Sequence, residues 1–251
     1  DDNASGISSL IEIARQLKNS QKKNNNYLFI AFSGEELGLY GSNFFAKNPT
    51  VKLENVNYML NMDMVGRFEK DKGLAINGVG TSPVWKNLLG NIKIDSIKIK
   101  TSESGVGPSD HTSFYLQNIP VLHFFTGTHE DYHKPSDDID KINFEGMLSV
   151  EKFMLALIDS LNEKQKLIFT KTKEDSSVTP KFTVTLGVIP DYMYEGEGMK
   201  IDGVTEGKPA SKAGMQKGDI VLQMGEHKTA DMMSYMKALS NYKKGDAVKV
   251  K

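Results

Sequence analysis

Apolar residues recur along the first two thirds of the chain with two different periods. Between Ile7 and Lys18, residues Ile7, Leu10, Ile11, Ala14 and Leu17 return every three or four positions, which predicts a helix with one apolar face and Ser5 as its cap. Tyr27–Phe32 (YLFIAF), Val56–Met62 (VNYMLNM) and Ile119–Phe125 (IPVLHFF) are instead short unbroken apolar runs, the pattern of strands covered on both faces. Leu74–Asn77 predicts a further short strand and Ile92–Ile99 a weaker one. Helices are expected over Leu37–Lys47, Ser82–Asn91 and Phe144–Leu161, the last with Met147, Leu148, Val150, Phe153, Met154, Leu157, Ile158 and Leu161 on or near one face. The polar stretch Lys18–Asn26 reads as a solvated loop. Strands alternating with helices give an α/β domain: a mixed, mostly parallel sheet flanked by helices.

Beyond this region the texture changes. Glu163–Pro180, rich in Lys, Thr and Ser, reads as a linker. Short strands are then expected at Phe182–Val188, Met199–Val204 and Ile220–Met224, with one helix near Asp231–Leu239 and glycines throughout. The expected organisation is an α/β domain over 1–164, a linker over 165–179 and a small β-rich domain over 180–251. A length of 251 residues suits two modest domains, and 39% hydrophobic against 25% charged residues supplies a core without a disorder signature. The 31 basic and 32 acidic side chains balance, and Arg15 and Arg67 are the only arginines, so nothing gathers nucleic acid. No apolar window approaches the ~20 residues of a membrane-spanning helix. Cysteine is absent, which excludes thiolate metal sites.

Three chemistry-bearing positions follow apolar strands. Glu35 and Glu36 come just after Tyr27–Phe32, Asp63 ends Val56–Met62, and His133 lies in the loop after Ile119–Phe125. In an open parallel sheet the crevice beyond the strands' carboxyl ends is where sites form, and Asp1, just ahead of the first helix, could join them. Singly, each has an ordinary structural explanation: glutamates suit a helix N-terminus, an Asp often turns the chain, and a loop His is usually solvated. That last reading is the one given to His111, His123, His129 and His227. Jointly, several carboxylates facing one another repel unless cations neutralise them, and an Asp/Glu/His set without cysteine suits zinc, cobalt or manganese.

The motifs Asp1-Asp2-Asn3-Ala4-Ser5-Gly6, Ser33-Gly34-Glu35-Glu36-Leu37-Gly38-Leu39-Tyr40-Gly41-Ser42, Asn61-Met62-Asp63-Met64-Val65-Gly66, Ser109-Asp110-His111 and Tyr132-His133-Lys134-Pro135-Ser136-Asp137-Asp138 appear in that order. Together they resemble the co-catalytic zinc aminopeptidase family, over roughly Asp1–Lys164. The resemblance implies that Asp1 bridges two zinc ions, that Glu36 and His133 bind one of them and that Asp63 binds the other. It makes Glu35 the general base, gives Tyr132 a part in stabilising the oxyanion, and sets Ser109-Asp110-His111 near the substrate pocket without a catalytic role. Peptide or protein substrates with free N-termini follow from it, as does export from the cytoplasm. The family also carries an H-x-D segment shortly before the residue matching Asp1, whose His completes the Asp63 zinc and whose Asp orients that His. This segment lies outside the chain, so the expectation is a longer gene product that carries it and a fragment that holds zinc poorly.

Pro180–Lys251 resembles a PDZ domain of the bacterial protease type, through Thr185-Leu186-Gly187-Val188, Pro209-Ala210-Ser211-Lys212-Ala213-Gly214 and Lys217-Gly218-Asp219-Ile220-Val221. The resemblance implies capture of peptide C-termini at Leu186, Gly187 and Val188, with a further strand expected after Lys251. Rival readings are a glutaminyl cyclase-like enzyme working with one zinc and a catalytically inactive peptide-binding scaffold.

Overall fold

The computed structural model describes residues 1–21, 24–95, 97–172, 184–191, 194 and 196–251. They fall into two compact units, Asp1–Gly127 with Asp131–Asp175 and Thr128–Glu130 with Ser176–Lys251.

In the first unit, helix α1 (Ala4–Asn19) is capped by Asn3, whose side chain accepts from the Gly6 N–H, rather than by Ser5. Its buried stripe is Ser5, Ser9, Ile13 and Leu17, while Ile7 and Ile11 stay 39% and 65% exposed. The face that meets the core is thus the i, i+4 row of small residues ending in Ile13 and Leu17, which lets the helix approach closely. Helix α2 (Tyr40–Lys47) starts later than the pattern predicts because Leu39 takes a left-handed φ of 59°, which helical backbone does not allow.

Strands β1 (Met59–Met62) and β2 (Leu74–Asn77) precede helix α3 (Trp85–Asn91) and strand β3 (Ile99–Ser102). Helix α4 (His111–Tyr115), strand β4 (Val121–Phe125) and helix α5 (Phe144–Leu161) complete the unit. The sheet runs β1-β4-β2-β3. The β1/β4 and β2/β3 pairs are parallel and β2/β4 is antiparallel. All of β4 is buried, as its unbroken apolar run requires. Helix α5 has the predicted bounds, and its Val150, Phe153, Met154, Leu157 and Leu161 pack with Ile13, Trp85, Leu122 and Phe124 into one core.

Two strand expectations differ. Residues 27–32 form no ladder: a strand is defined by its partner, and no described strand pairs with them. The weaker strand expected at Ile92–Ile99 begins only at Ile99, where β2 supplies partners from Leu74 to Asn77.

The second unit contains strands β5 (Val188–Pro190) and β6 (Met199–Val204), helix α6 (Pro209–Lys212) and strand β7 (Ile220–Val221). A hairpin of β8 (Gln223–Met224) and β9 (His227–Lys228) and the helix α7 (Met232–Leu239) follow. Strands β5, β6 and β7 form an antiparallel sheet. Asp231 and Ser234 exchange backbone bonds that cap α7. Leu186, Met199, Ile201, Val221, Met224, Tyr235 and Leu239 make a separate core. The strand expected at Phe182–Val188 begins outside the described residues, as do positions 173–179 of the expected linker.

Candidate metal centre

Three turns bring acidic and imidazole groups to the carboxyl end of the first unit's sheet. Asp63 follows β1 directly, and its N–H donates to Phe124 O at 3.1 Å, so its backbone is fixed by the ladder to β4. After residues 27–32 the chain folds into a tight turn in which the Gly38 and Leu39 N–H groups both donate to Glu35 O, at 2.9 and 2.8 Å. Glu35 and Glu36 sit on that turn. His133 occupies the loop after β4 with a left-handed φ of 57°.

The α1 N-terminus is pressed against the end of β1. A Cβ on Gly6 would lie 2.8 Å from Met62 O, and one on Gly66 would lie 2.8 Å from Asp1 Oδ1. This approach separates the first two aspartates. Asp1 is 6% exposed, and its Oδ1 accepts from Ser5 Oγ at 2.6 Å and from the Gly66 N–H at 2.8 Å. Asp2 turns the other way: its Oδ2 lies 3.2 Å from His133 Nε2, and Glu36 Oε1 lies 3.0 Å from the same nitrogen. The expectation that Asp1 joins the cluster is therefore corrected to Asp2. Neighbouring residues project to opposite sides, and the inward-facing one became the acceptor that holds the turn.

Ligand atoms of Asp2, Glu36 and His133 all lie within 4.8 Å of one another, and these residues line a cavity of about 420 Å³ with Lys134 and Asp137. Glu36 and His133 thus meet, as expected. Asp63 lies outside that three-residue group but is coupled to it by charge. Burial, then Asp2, Glu36 and Asp110, raise its carboxyl to about 7 against a hydrogen bond from Ser109. Glu35 is raised to about 9, first by burial and then by Asp63, Glu36, Asp110 and Asp2. His133 is raised to about 10 by its bonds to Asp2 and Glu36. The crowded negative charge thus favours the protonated form of each of these groups. The Tyr132 ring stacks on the His133 ring with centroids 3.8 Å apart.

The donor set fits a divalent metal. Two oxygens and an imidazole nitrogen around a tetrahedral zinc at ~2.0–2.1 Å would sit about 3.3 Å apart. The Asp2–His133 and Glu36–His133 separations of 3.2 and 3.0 Å are close to that spacing.

Asp110, set near the substrate pocket by its motif but given no catalytic role there, and two histidines read as solvated differ from expectation. Asp110 adds negative charge to both Glu35 and Asp63. His111 and His123, expected to be solvated, are 0% and 3% exposed and stack with centroids 4.6 Å apart. His123 follows from its place in a strand buried on both faces; His111 ends the Ser109-Asp110-His111 motif, but no apolar periodicity marks it as buried.

In the second unit, Gly187 has a φ of 79°, and a Cβ there would lie 2.1 Å from Lys208 Cβ. Its N–H donates to Thr185 Oγ1 at 3.0 Å. Leu186 is buried in the core and its carbonyl accepts from the Ala210 N–H, while Val188 pairs with Val204.

Comparison with known families matches residues 1–158 to Peptidase family M28 and residues 159–251 to a PDZ domain. Aminopeptidase YwaD of Bacillus subtilis (strain 168) is 32% identical over 178 residues, covering 66% of this chain and 38% of the relative. Probable leucine aminopeptidase 1 of Trichophyton verrucosum (strain HKI 0517) is 30% identical over 178 residues, covering 64% and 48%. Among solved structures, BSAP, a zinc aminopeptidase from Bacillus subtilis, aligns with a TM-score of 0.55 at 29% identity over 71% of this chain and 44% of its own. LapA aminopeptidase from Legionella pneumophila gives 0.51 at 26% identity over 65% and 47%. The chain spans less than half the length of these relatives.

Proposed function

This chain belongs to peptidase family M28, and on that premise we propose that its first unit works as a zinc-dependent aminopeptidase on the free N-termini of peptides. The observation that carries the reading is the meeting of Asp2, Glu36 and His133, from three segments far apart in sequence, at the edge of one cavity. Asp2, Glu36 and His133 would hold one ion, and Asp63, coupled to Asp2, is the donor available to a second. Bound zinc supplies Lewis acidity that acidifies water and polarises a peptide carbonyl.

Glu35 is the group to which we assign the proton transfer. It takes a proton from the attacking water and delivers it to the departing amine nitrogen. Burial first, and then the neighbouring carboxylates, lift Glu35; positive charge among Asp2, Glu36 and Asp63 would offset the carboxylates' share and favour the ionised form that accepts a proton. The surrounding acids, Asp110 among them, attract a substrate ammonium group, which favours a free N-terminus. The Tyr132 ring stacks on the His133 ring, and its hydroxyl is the protein donor proposed for the developing oxyanion. In the PDZ domain, backbone groups around Leu186, Gly187 and Val188 are the proposed seat for a peptide C-terminus.

The test is hydrolysis of aminoacyl-nitroanilides with and without chelator, in wild type and Glu35→Gln. Turnover lost on chelation, regained with zinc and reduced at least ~10²-fold by the substitution is expected. Chelator-insensitive turnover, or an unaffected variant, would refute the assignment.

A further inference from the structure

We propose that Asp137, held by Arg67, is a positioning residue that sets the spacing of Asp2 and His133. The inference rests on the metal role proposed for those two residues. Asp137 lies in the His133 loop, and its side chain is 8% exposed. One oxygen, Oδ2, accepts from the backbone Asp2 N–H at 2.9 Å, with the terminal Asp1 ammonium nitrogen at 2.7 Å. The other, Oδ1, accepts from Arg67 Nη2 at 2.6 Å. A single planar carboxylate therefore ties the backbone that carries Asp2 to the loop that carries His133.

Arg67 keeps that carboxylate in place. Its guanidinium also reaches Asp131 Oδ2, at 3.3 and 3.4 Å, while Asp131 Oδ1 accepts from Ser136 Oγ at 2.7 Å and from Lys141 Nζ. The rigid fork thus spans Asp131 and Asp137, the two acids that flank His133 in the loop, and fixes the curvature on which the left-handed His133 sits. Beside Arg67, the Gly66 N–H holds Asp1 Oδ1, so both aspartates are anchored to the same short segment after β1. Although Asp137 lines the cavity, its oxygens face backbone and guanidinium donors, and it is not among the three residues whose ligand atoms converge. Its role is to hold two ligands at a fixed separation, which is what a metal site needs from the groups behind its ligands.

The experiment loads the full chain with Co(II). Asp137→Asn keeps the size but offers a single carbonyl oxygen, which can serve Arg67 or the Asp2 N–H and not both. Arg67→Lys keeps the charge and loses the fork, and it serves if the first variant folds poorly. Both are expected to bind Co(II) ~10–100-fold more weakly, to shift its visible absorption bands, and to speed hydrogen exchange over residues 131–137 in the cation-free protein. A merely structural brace would lower the melting temperature and leave affinity per folded molecule and the Co(II) spectrum unchanged, and that result overturns the proposal. If wild type binds no Co(II), the metal reading fails by itself. Cation-free exchange then decides the bracing, with faster exchange in the variants supporting it and unchanged exchange refuting it.

Discussion

Exchanging the roles of the first two aspartates makes a sharp prediction, because the structure gives each a different kind of work. Asp2→Asn preserves shape and removes one charge from a group whose ligand atoms lie within 4.8 Å of one another. At ~4 Å and an effective dielectric of ~20, one unit charge pair is worth about 4 kcal/mol. Cation affinity should therefore fall ~10³-fold or more, with little change in melting temperature, because relieved repulsion on Asp63 and Glu35 is set against a weaker bond to His133. Asp1→Ala should do the reverse. It leaves the buried Gly66 N–H without its acceptor and takes one of two acceptors from Ser5 Oγ, whose other is Asp1 O at 2.8 Å. One fully unsatisfied buried donor plus a weakened hydroxyl costs about 2 kcal/mol. For a unit of this size that is a drop of roughly 4–8 °C in melting temperature, with affinity per folded molecule preserved. Titration calorimetry with zinc and thermal unfolding of the cation-free chain read both arms. If Asp1→Ala abolishes binding at an unchanged melting temperature while Asp2→Asn binds normally, the reasoning is wrong.

Three further outcomes follow. Saturating the cation-free chain with zinc at ~100 times the dissociation constant should stabilise the first unit by about 2.7 kcal/mol, roughly 5–11 °C by thermal unfolding, and chelator should reverse it. Phe153→Ala, at a site 1% exposed within the core, should cost about 3–5 kcal/mol by urea unfolding, whereas Phe144→Ala, 60% exposed on the same helix, should cost little. Burial lowers His123 from 6.5 to about 4, so the folded state keeps it neutral while the unfolded chain takes up a proton below 6.5. Its contribution is present above pH 6.5 and is lost as pH falls toward 4, at ~1.4 kcal/mol per pH unit and about 3 kcal/mol in all. The difference in urea midpoint between wild type and His123→Phe should follow that curve; a difference independent of pH would contradict it.

How much of the fold the sequence carries depends on where each element finds its partner. Helix α5 is legible to the residue because Asn143 caps it and its apolar stripe alone decides which side is covered. Strand β4 is legible because it lies between β1 and β2 and is buried along its whole length. Pattern fails where the partner decides. YLFIAF is as apolar as β4, yet strand character is a property of pairs, and no described strand pairs with it. Helix α1 is recognisably helical, but its turn of small residues, Ser5 and Ser9, rather than Ile7 and Ile11, faces inward, because close approach to β1 outweighs the hydrophobicity of single side chains.

The site divides along the same line. Glu35, Glu36, Asp63 and His133 can be assigned to one edge because each follows a run that marks the end of a strand or its equivalent, and chain direction then fixes which edge. The choice between Asp1 and Asp2 has no such marker, since both precede the same helix and differ only in which way they project. What decides it is the Gly66 N–H: an unpaired donor buried at the end of β1 needs an acceptor, and the aspartate that supplies it is removed from the cluster. A buried backbone donor thus selects the ligand by occupying its neighbour. The same accounting assigns Asp137, whose two oxygens are taken up by backbone and arginine, to holding the site together and not to binding in it.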